Sequence, residues 1–240
     1  MSTNPVLSRA HALWEGLAVA PVSFSSPDAV DVAISPRAMI CPHGWAGFIV
    51  LQGRAIVTAP SASAVAAIRG AMAELSVEDL VDPEILGRFL PLVEVLGPAT
   101  LAYLDERDFR AAASCSVSVD RISAEHPDLH RLEVLAGEDE SEESGLREIT
   151  SPAFAVRIHD EVVAAAGYRM WPSRTAHMSV LTAPGNRGRG LARLTGSAAV
   201  AHALEAGLLP QWRARAPRSQ RVALALGFRE LGAQLSARPS

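Results

Sequence analysis

The chain has 240 residues, of which 49% are hydrophobic and 20% charged, with a formal net charge of −4. That is enough to bury roughly 70–75% of the unfolded surface without staples. No stretch reaches the roughly 18–20 consecutive apolar residues of a membrane span. The N-terminus MSTNPVLSRAHALWEGL lacks the basic start, apolar middle and cleavage site of a signal peptide, so the expected location is cytoplasmic, with no membrane partner. Lysine is absent throughout, which excludes a Schiff-base lysine and a P-loop. Cys41 and Cys115 are too few for a disulfide framework and read as buried thiols; Cys41-Pro42-His43 lacks a second pair, so no metal is expected.

In chain order, DAVDVAIS and GWAGFIVLQGRAIVTAP read as strands, the latter turning at Gln52-Gly53. SASAVAAIRGAMAEL follows at helical spacing behind a serine cap, and DPEILGRFLPLVEVLG opens a helix with Asp82 as cap and Pro83 in the first position. LAYLDERDF is a further short strand, after which RAAASCSVSVD changes to small and polar residues. We place a domain boundary there, giving an α/β domain over 1–113 and a second over 114–240. In the second part HPDLHRLEVLAG is a short helix, EDESEESGLREI an acidic loop or helix, and AFAVRIHDEVVAAAGYRMW two strands joined at His159-Asp160-Glu161. TAHMSVLTA is a strand running into LTAPGNRGRGLA. GLARLTGSAAVAHALEAG then sets Leu191, Leu194, Ala198, Ala201 and Leu204 on one helical face with Gly207 as stop. LPQWRAR, PRSQRVALALG and FRELGAQLSA complete the chain as strand, helix and closing strand. The order is mixed α/β.

A strand that ends in a glycine-rich turn and feeds a helix leaves the first helical N–H groups without partners, the geometry that binds phosphate. Gly188 and Gly190 let the backbone approach closely, and Arg187 and Arg189 add charge-assisted bonds. The glycines at 185, 188 and 190 do not match the dinucleotide spacing GxGxxG. A DNA-binding RGR arm belongs in a polar flank rather than between a strand and an amphipathic helix, so no nucleic-acid partner is expected. From Leu181 onward nine arginines face only Glu205 and Glu230, about +7, leaving −11 for the first 180 residues. This suits an anionic ligand held by the C-terminal quarter.

RGRGLA, Arg187 to Ala192, matches [QR]xxGx[GA], the pyrophosphate signature of the GNAT superfamily of acyl-CoA N-acyltransferases. The stretch from HMSVLTAP through GLLPQWRAR to RSQRVALALGF resembles the family's order of strand, signature, helix, strand, helix and Gly-Phe. The Trp-x-Ala of QWRA and the run from Ser219 to Phe228 resemble a subgroup that includes antibiotic self-resistance acetyltransferases. The resemblance covers about residues 117–240. It implies a GNAT-like twisted mixed sheet that splays after TAHMSVLTA, and acetyl-CoA as cofactor. Backbone groups of Leu181, Thr182 and Ala183 would meet the pantetheine and thioester, and N–H groups of Arg189, Gly190, Leu191 and Ala192 would hold the pyrophosphate. Arg187 and Gly188 would close the turn, and Ser219 would border the thiol end.

The implied reaction passes an acyl group from the thioester to a primary amine of a small molecule or protein. The tyrosine acid of many members falls at Ala223 and its asparagine companion at Ala216, so water or Ser219 is left to protonate the thiolate. A glutamate base of some members falls near Ala176; His177 beside it and Glu148 before SPAFAV are the candidate bases, against half-buried and solvated readings of each. The acidic run Glu138 to Glu143 offers recruitment of a cationic amine, against a solvated face. The alternative to an enzyme is an inactive acyl-CoA sensor. The first 113 residues match no signature; their hairpin-then-helix order echoes the second half, and acceptor recognition, a homodimer interface and scaffolding stay open for them.

Overall fold

The computed structural model describes residues 4–26, 28–114 and 116–239. They form two compact units, Met1–Leu101 with Glu230–Ser240, and Ala102–Arg229.

The first unit opens with a helix, α1 (Pro5–Ala18), that the pattern reading did not assign. Asn4 caps it, its side-chain oxygen accepting from Val6 N–H at 3.1 Å, and Pro5 takes the first turn, where no N–H is needed. Leu13, Trp14 and Leu17 bury its inner face. Strand β1 (Val30–Ile34) lies parallel to β3 (Arg54–Ala59), which forms a hairpin with the fully buried β2 (Ala46–Leu51). Gln52 and Gly53 both take positive φ, 50° and 74°, as the expected tight turn requires. Helix α2 (Ala62–Met72) starts at Ser61, whose hydroxyl accepts from Ala64 N–H at 3.2 Å, and α3 (Pro83–Phe89) starts at Asp82. Pro91 ends α3 early, and the remainder of that stretch becomes β4 (Leu92–Tyr103), longer than the short strand expected at LAYLDERDF. The unit's strand order is β1-β3-β2-β10-β4, where β10 is Arg229–Pro239. The closing strand thus belongs here, antiparallel to β2 from Gly232↔Leu51 to Ala237↔Ala46. Phe48, Val57, Ile68, Leu86 and Leu235 centre this core. Cys41 is half-buried, and burial pushes its thiol up to about 11; Cys115 lies outside the described residues.

The compositional change near residue 113 falls inside the second unit. Arg110 N–H donates to Leu226 O at 3.0 Å and Ala112 N–H to Ser197 Oγ at 2.8 Å, so the segment is tied to that unit's helices. Strand β5 (Asp120–Ile122) leads to α4 (Pro127–Ala136) and to α5 (Glu138–Ser144), which resolves the acidic run as a helix. Strands β6 (Ala153–Ile158) and β7 (Glu161–Trp171) turn at His159 and Asp160, both with positive φ. Then come β8 (Thr175–Thr182), α6 (Leu191–Glu205), β9 (Leu209–Ala214) and α7 (Pro217–Ala225), in sheet order β9-β8-β7-β6-β5. The pairs are antiparallel from β5 to β8, while β8 and β9 are parallel with α6 as the crossover. The expected stripe on α6 needs correction. Leu191 is buried as expected, but Leu194, Ala198, Ala201 and Leu204 are only half-buried, and the other buried positions are Thr195, Gly196, Ser197, Ala199, Val200 and Ala203. Small residues let the helix lie close to its neighbours, with a Cβ built on Gly196 reaching Leu226 at 3.4 Å and Trp212 at 3.5 Å. Among the described residues no helix is long and apolar enough to cross a membrane.

Candidate active site

Strands β8 and β9 pair only from Thr175↔Leu209 to His177↔Gln211, while β8 stays paired with β7 as far as Thr182↔Ala164. Beyond Gln211 the two strands part, and the wedge between them opens a cavity of about 550 Å³. Met178, Val180, Leu181 and Thr182 line it from β8, Trp212 and Arg213 from β9, and Ser219 and Val222 from α7. Gly188, Gly190, Leu191 and Ala192 line it at the start of α6.

Backbone phase decides which β8 groups reach the wedge. Leu209 N–H donates to Arg174 O at 2.9 Å on the β9 side, and Ala183 N–H to Val163 O at 2.8 Å on the β7 side. Alternate residues of a strand turn their backbone groups to opposite sides, and the β7–β8 register runs without a break. Val180 and Thr182 therefore turn their N–H groups into the wedge past the last β9 pair. Of the three residues expected there, Thr182 turns its N–H into the wedge, Leu181 contributes its side chain to the wall, and Ala183 lies outside the wall with its N–H already given to Val163. Val180, which the sequence did not single out, shares this direction with Thr182, a phase that only the register shows.

The glycine turn is built as a cradle. After a 3-10 turn at Pro184–Asn186, Gly188 and Gly190 take φ of 75° and 77°, and Gly190 is the N-cap of α6 with no side chain supplying the cap. The first helical N–H groups, of Leu191 and Ala192, therefore point outward with the helix dipole behind them. A Cβ built on either glycine meets nothing within 4 Å, so the space over the turn is open. Thr182 Oγ1, in the same wall, is buried without a hydrogen-bond partner. A pyrophosphate and its adjoining chain fit these groups. Arg187 lines the cavity, whereas Arg189 is exposed outside its wall.

Both carboxylates of the cavity wall are engaged by arginines. Glu140 bridges Arg187 and Arg218, the latter at 2.8 Å, and Glu143 pairs with Arg215. Two carboxylates of the acidic run, Glu140 and Glu143, are thus counter-ions for arginines in and beside the basic turn. Arg193, Arg213 and Arg221 also line the cavity.

The three candidate catalytic residues separate. Ser219 lines the cavity and its hydroxyl accepts from Trp212 Nε1 at 2.9 Å, which leaves its own hydrogen for a second acceptor. His177 lies outside the wall. Its ring stacks on Trp171 with centroids 3.9 Å apart, and Nδ1 is bonded to Gln211 Oε1. Desolvation, reinforced by Arg213 and Arg169 and opposed by the Gln211 bond, lowers its pKa to about 3, far below a useful base near neutrality. Glu148 is exposed, paired with Arg169, and also outside the wall. Ala223 is buried in the core and Ala216 caps α7 at the cavity edge, and neither side chain can donate a proton.

Residues 152–233 match the family model for the GNAT acetyltransferase. This segment belongs to the GNAT family. No curated protein matches the chain. An acetyltransferase from the GNAT family from Colwellia psychrerythraea is similar in fold, with a TM-score of 0.53 at 11% identity over 100% of this chain and 98% of that one. A GCN5-related N-acetyltransferase from Kribbella flavida gives a TM-score of 0.50 at 18% identity, over 65% of this chain and 63% of that one. A GNAT-family structure from Novosphingobium aromaticivorans is matched over 61% of this chain and 65% of its own at 22% identity, with a TM-score of 0.47. This chain thus spans just under two thirds of the latter two. The first two likenesses bear on the fold, and residues 152–233 contain the wedge between β8 and β9 and the glycine turn, while Glu140, Glu143 and Ser144 of the cavity wall precede them.

Proposed function

We propose that the protein is an acetyl-CoA-dependent N-acetyltransferase acting on a primary amine of a small molecule or protein. The observation that carries this reading is the wedge after His177↔Gln211, walled at one end by the uncapped start of α6. Acetyl-CoA, when bound, supplies a thioester carbonyl and a thiolate leaving group. Gly188, Gly190, Leu191 and Ala192 receive the pyrophosphate on backbone N–H groups, with Arg187 beside them. Val180 offers an N–H in the wedge to a carbonyl oxygen that gains negative charge, the type of donor whose removal costs about 10²–10³ in rate elsewhere. Ser219, held by Trp212, has a hydroxyl hydrogen to give to the departing sulfur. No unpaired carboxylate or basic imidazole lines the cavity among the described residues, so the amine's proton passes to water. The rate is then expected to rise with pH through the amine's own titration, with no limb near 6.5.

Calorimetric titration with acetyl-CoA, CoA and ATP, followed by thiol release from acetyl-CoA across an amine panel, tests the reading. Binding of both CoA species with amine-dependent release is expected. Failure to bind either CoA species, or binding without release for any amine, refutes it.

A further inference from the structure

We propose that α5 is a latched lid on the cavity, held down by ion pairs that Arg187 and Arg218 give up when they turn to the phosphates of a bound cofactor. The inference rests on the acetyl-CoA reading and goes beyond it. Helix α5 spans seven residues, EDESEES, without one apolar side chain, and Ser141 is its one buried residue. Apolar burial, which docks the neighbouring α4 through Leu129 and Leu132, is therefore absent here.

Charge holds α5 in its place. Glu140 reaches Arg187, in the turn that follows β8, and Arg218, in the first turn of α7, the latter at 2.8 Å. Glu143 pairs with Arg215, between β9 and α7. The ties thus run to both sides of the wedge. Gly145 O accepts from Ser179 Oγ at 3.2 Å and Leu146 is buried, which fixes the chain just past the helix. Helix α5 therefore lies beside β8 from the glycine turn to Ser179, the neighbour of Val180. A glycine with positive φ stands at each end, Gly137 at 90° and Gly145 at 60°, so a hinge is available on both sides. Glu140, Glu143 and Ser144 are part of the cavity wall, and lifting α5 removes that part.

Partly exposed ion pairs are individually weak, whereas a guanidinium grips a phosphate through two parallel, charge-assisted bonds. Once Arg187 and Arg218 have turned to phosphates, Glu140 is left beside groups of its own sign and is repelled. Only the pair of Glu143 with Arg215 then holds the helix by charge. A helix this short does not persist undocked, so its amides lose protection on release.

The test follows hydrogen exchange of the amides of 138–144 in the full chain, without ligand and with saturating CoA, whose binding is measured by calorimetry. CoA is expected to speed exchange across α5 by about tenfold or more while slowing it in the first turn of α6. Glu140→Gln combined with Glu143→Gln should exchange fast without ligand, and CoA should then add less than about twofold. Glu142→Gln removes a charge from the same helix at a residue with no ion pair among the described residues, and should behave as wild type. Thermal melting confirms that each variant is folded. Exchange in α5 that CoA slows or leaves unchanged, slow exchange in the unliganded double variant, or equal acceleration by Glu142→Gln overturns the proposal. Binding of CoA without release of α5 fails here alone, whereas failure to bind any CoA species fails at the underlying reading.

Discussion

Replacing Gly190 with alanine separates the backbone cost of the glycine turn from its use as a cradle. Gly190 sits at φ 77° and ψ 3°, so an alanine there enters the left-handed region, at about 1–2 kcal/mol. The added Cβ meets nothing within 4 Å, so packing adds no further cost. For a chain of this size the loss corresponds to a fall in Tm of roughly 2–8 °C. Ligand binding is expected to suffer more, because the Cβ enters the open space over the first N–H groups of α6. Losing one hydrogen bond to a charged group costs about 1.5–3 kcal/mol, or about 10–100-fold in acetyl-CoA affinity. Gly207→Ala is the matched control. It lies just past the other end of α6 at φ 68°, and its Cβ meets the end of the flexible Arg174 side chain at 3.1 Å. Calorimetry and thermal melting should show similar stability losses for both variants and an affinity loss for Gly190→Ala alone. Retained affinity in Gly190→Ala, or an equal loss in Gly207→Ala, refutes the cradle.

Three further outcomes are expected. Ser219→Ala should lower kcat by about 10–100-fold with KM for acetyl-CoA nearly unchanged; a change confined to KM or Tm would reduce Ser219 to a prop for Trp212. Glu140→Gln should raise acetyl-CoA affinity about fivefold at low salt, since it removes roughly 1 kcal/mol of repulsion beside the phosphates. Weaker binding would mean that Glu140 chiefly holds Arg187 and Arg218 in place. His177 titrates near 6.5 when unfolded and at about 3 when folded, so below pH 6.5 the unfolded chain takes up a proton that the folded one refuses. Stability should fall as pH drops from 6.5 toward 3, by up to about 1.4 kcal/mol per pH unit, and denaturant unfolding of His177→Gln should lack that share of the slope. Parallel curves for the two proteins would remove the assignment.

The sequence carried the parts of the site that local chemistry dictates. Gly188 and Gly190 announce positive φ, Pro217 announces the start of α7, and the strand that precedes the glycine turn reads by period, so the cradle could be named by residue. What escaped depended on pairing. Val180 turns its N–H to the wedge and Ala183 to the β7 side, a phase that no single strand's sequence reveals. His177 had the right face and an ordinary pKa for a base, and only the packing of Trp171 and the bond to Gln211 show it to be a buttress. The α6 stripe was misjudged because an Ala- and Gly-rich helix is buried on more than one face, which weakens any periodic signal. β10 reads as a strand, yet its partner β2 lies far away in sequence, so composition alone assigned it to the wrong unit.

The two charge features of the sequence, an acidic run at Glu138 to Glu143 and a basic C-terminal quarter, are halves of one device. Arginines gathered around an anion site repel one another before the anion arrives, and long side chains so repelled would scatter into solvent. Glu140 holds Arg187 and Arg218 at the cavity, and Glu143 pairs with Arg215. Exposed pairs of this kind contribute only about 0–1 kcal/mol each to stability, so little is lost when they are exchanged. An incoming anion therefore meets arginines already in position and displaces weak partners rather than ordering free ones. That exchange lowers affinity somewhat while sparing side-chain entropy, and it also softens the dependence on salt, because the counter-ions released are the protein's own.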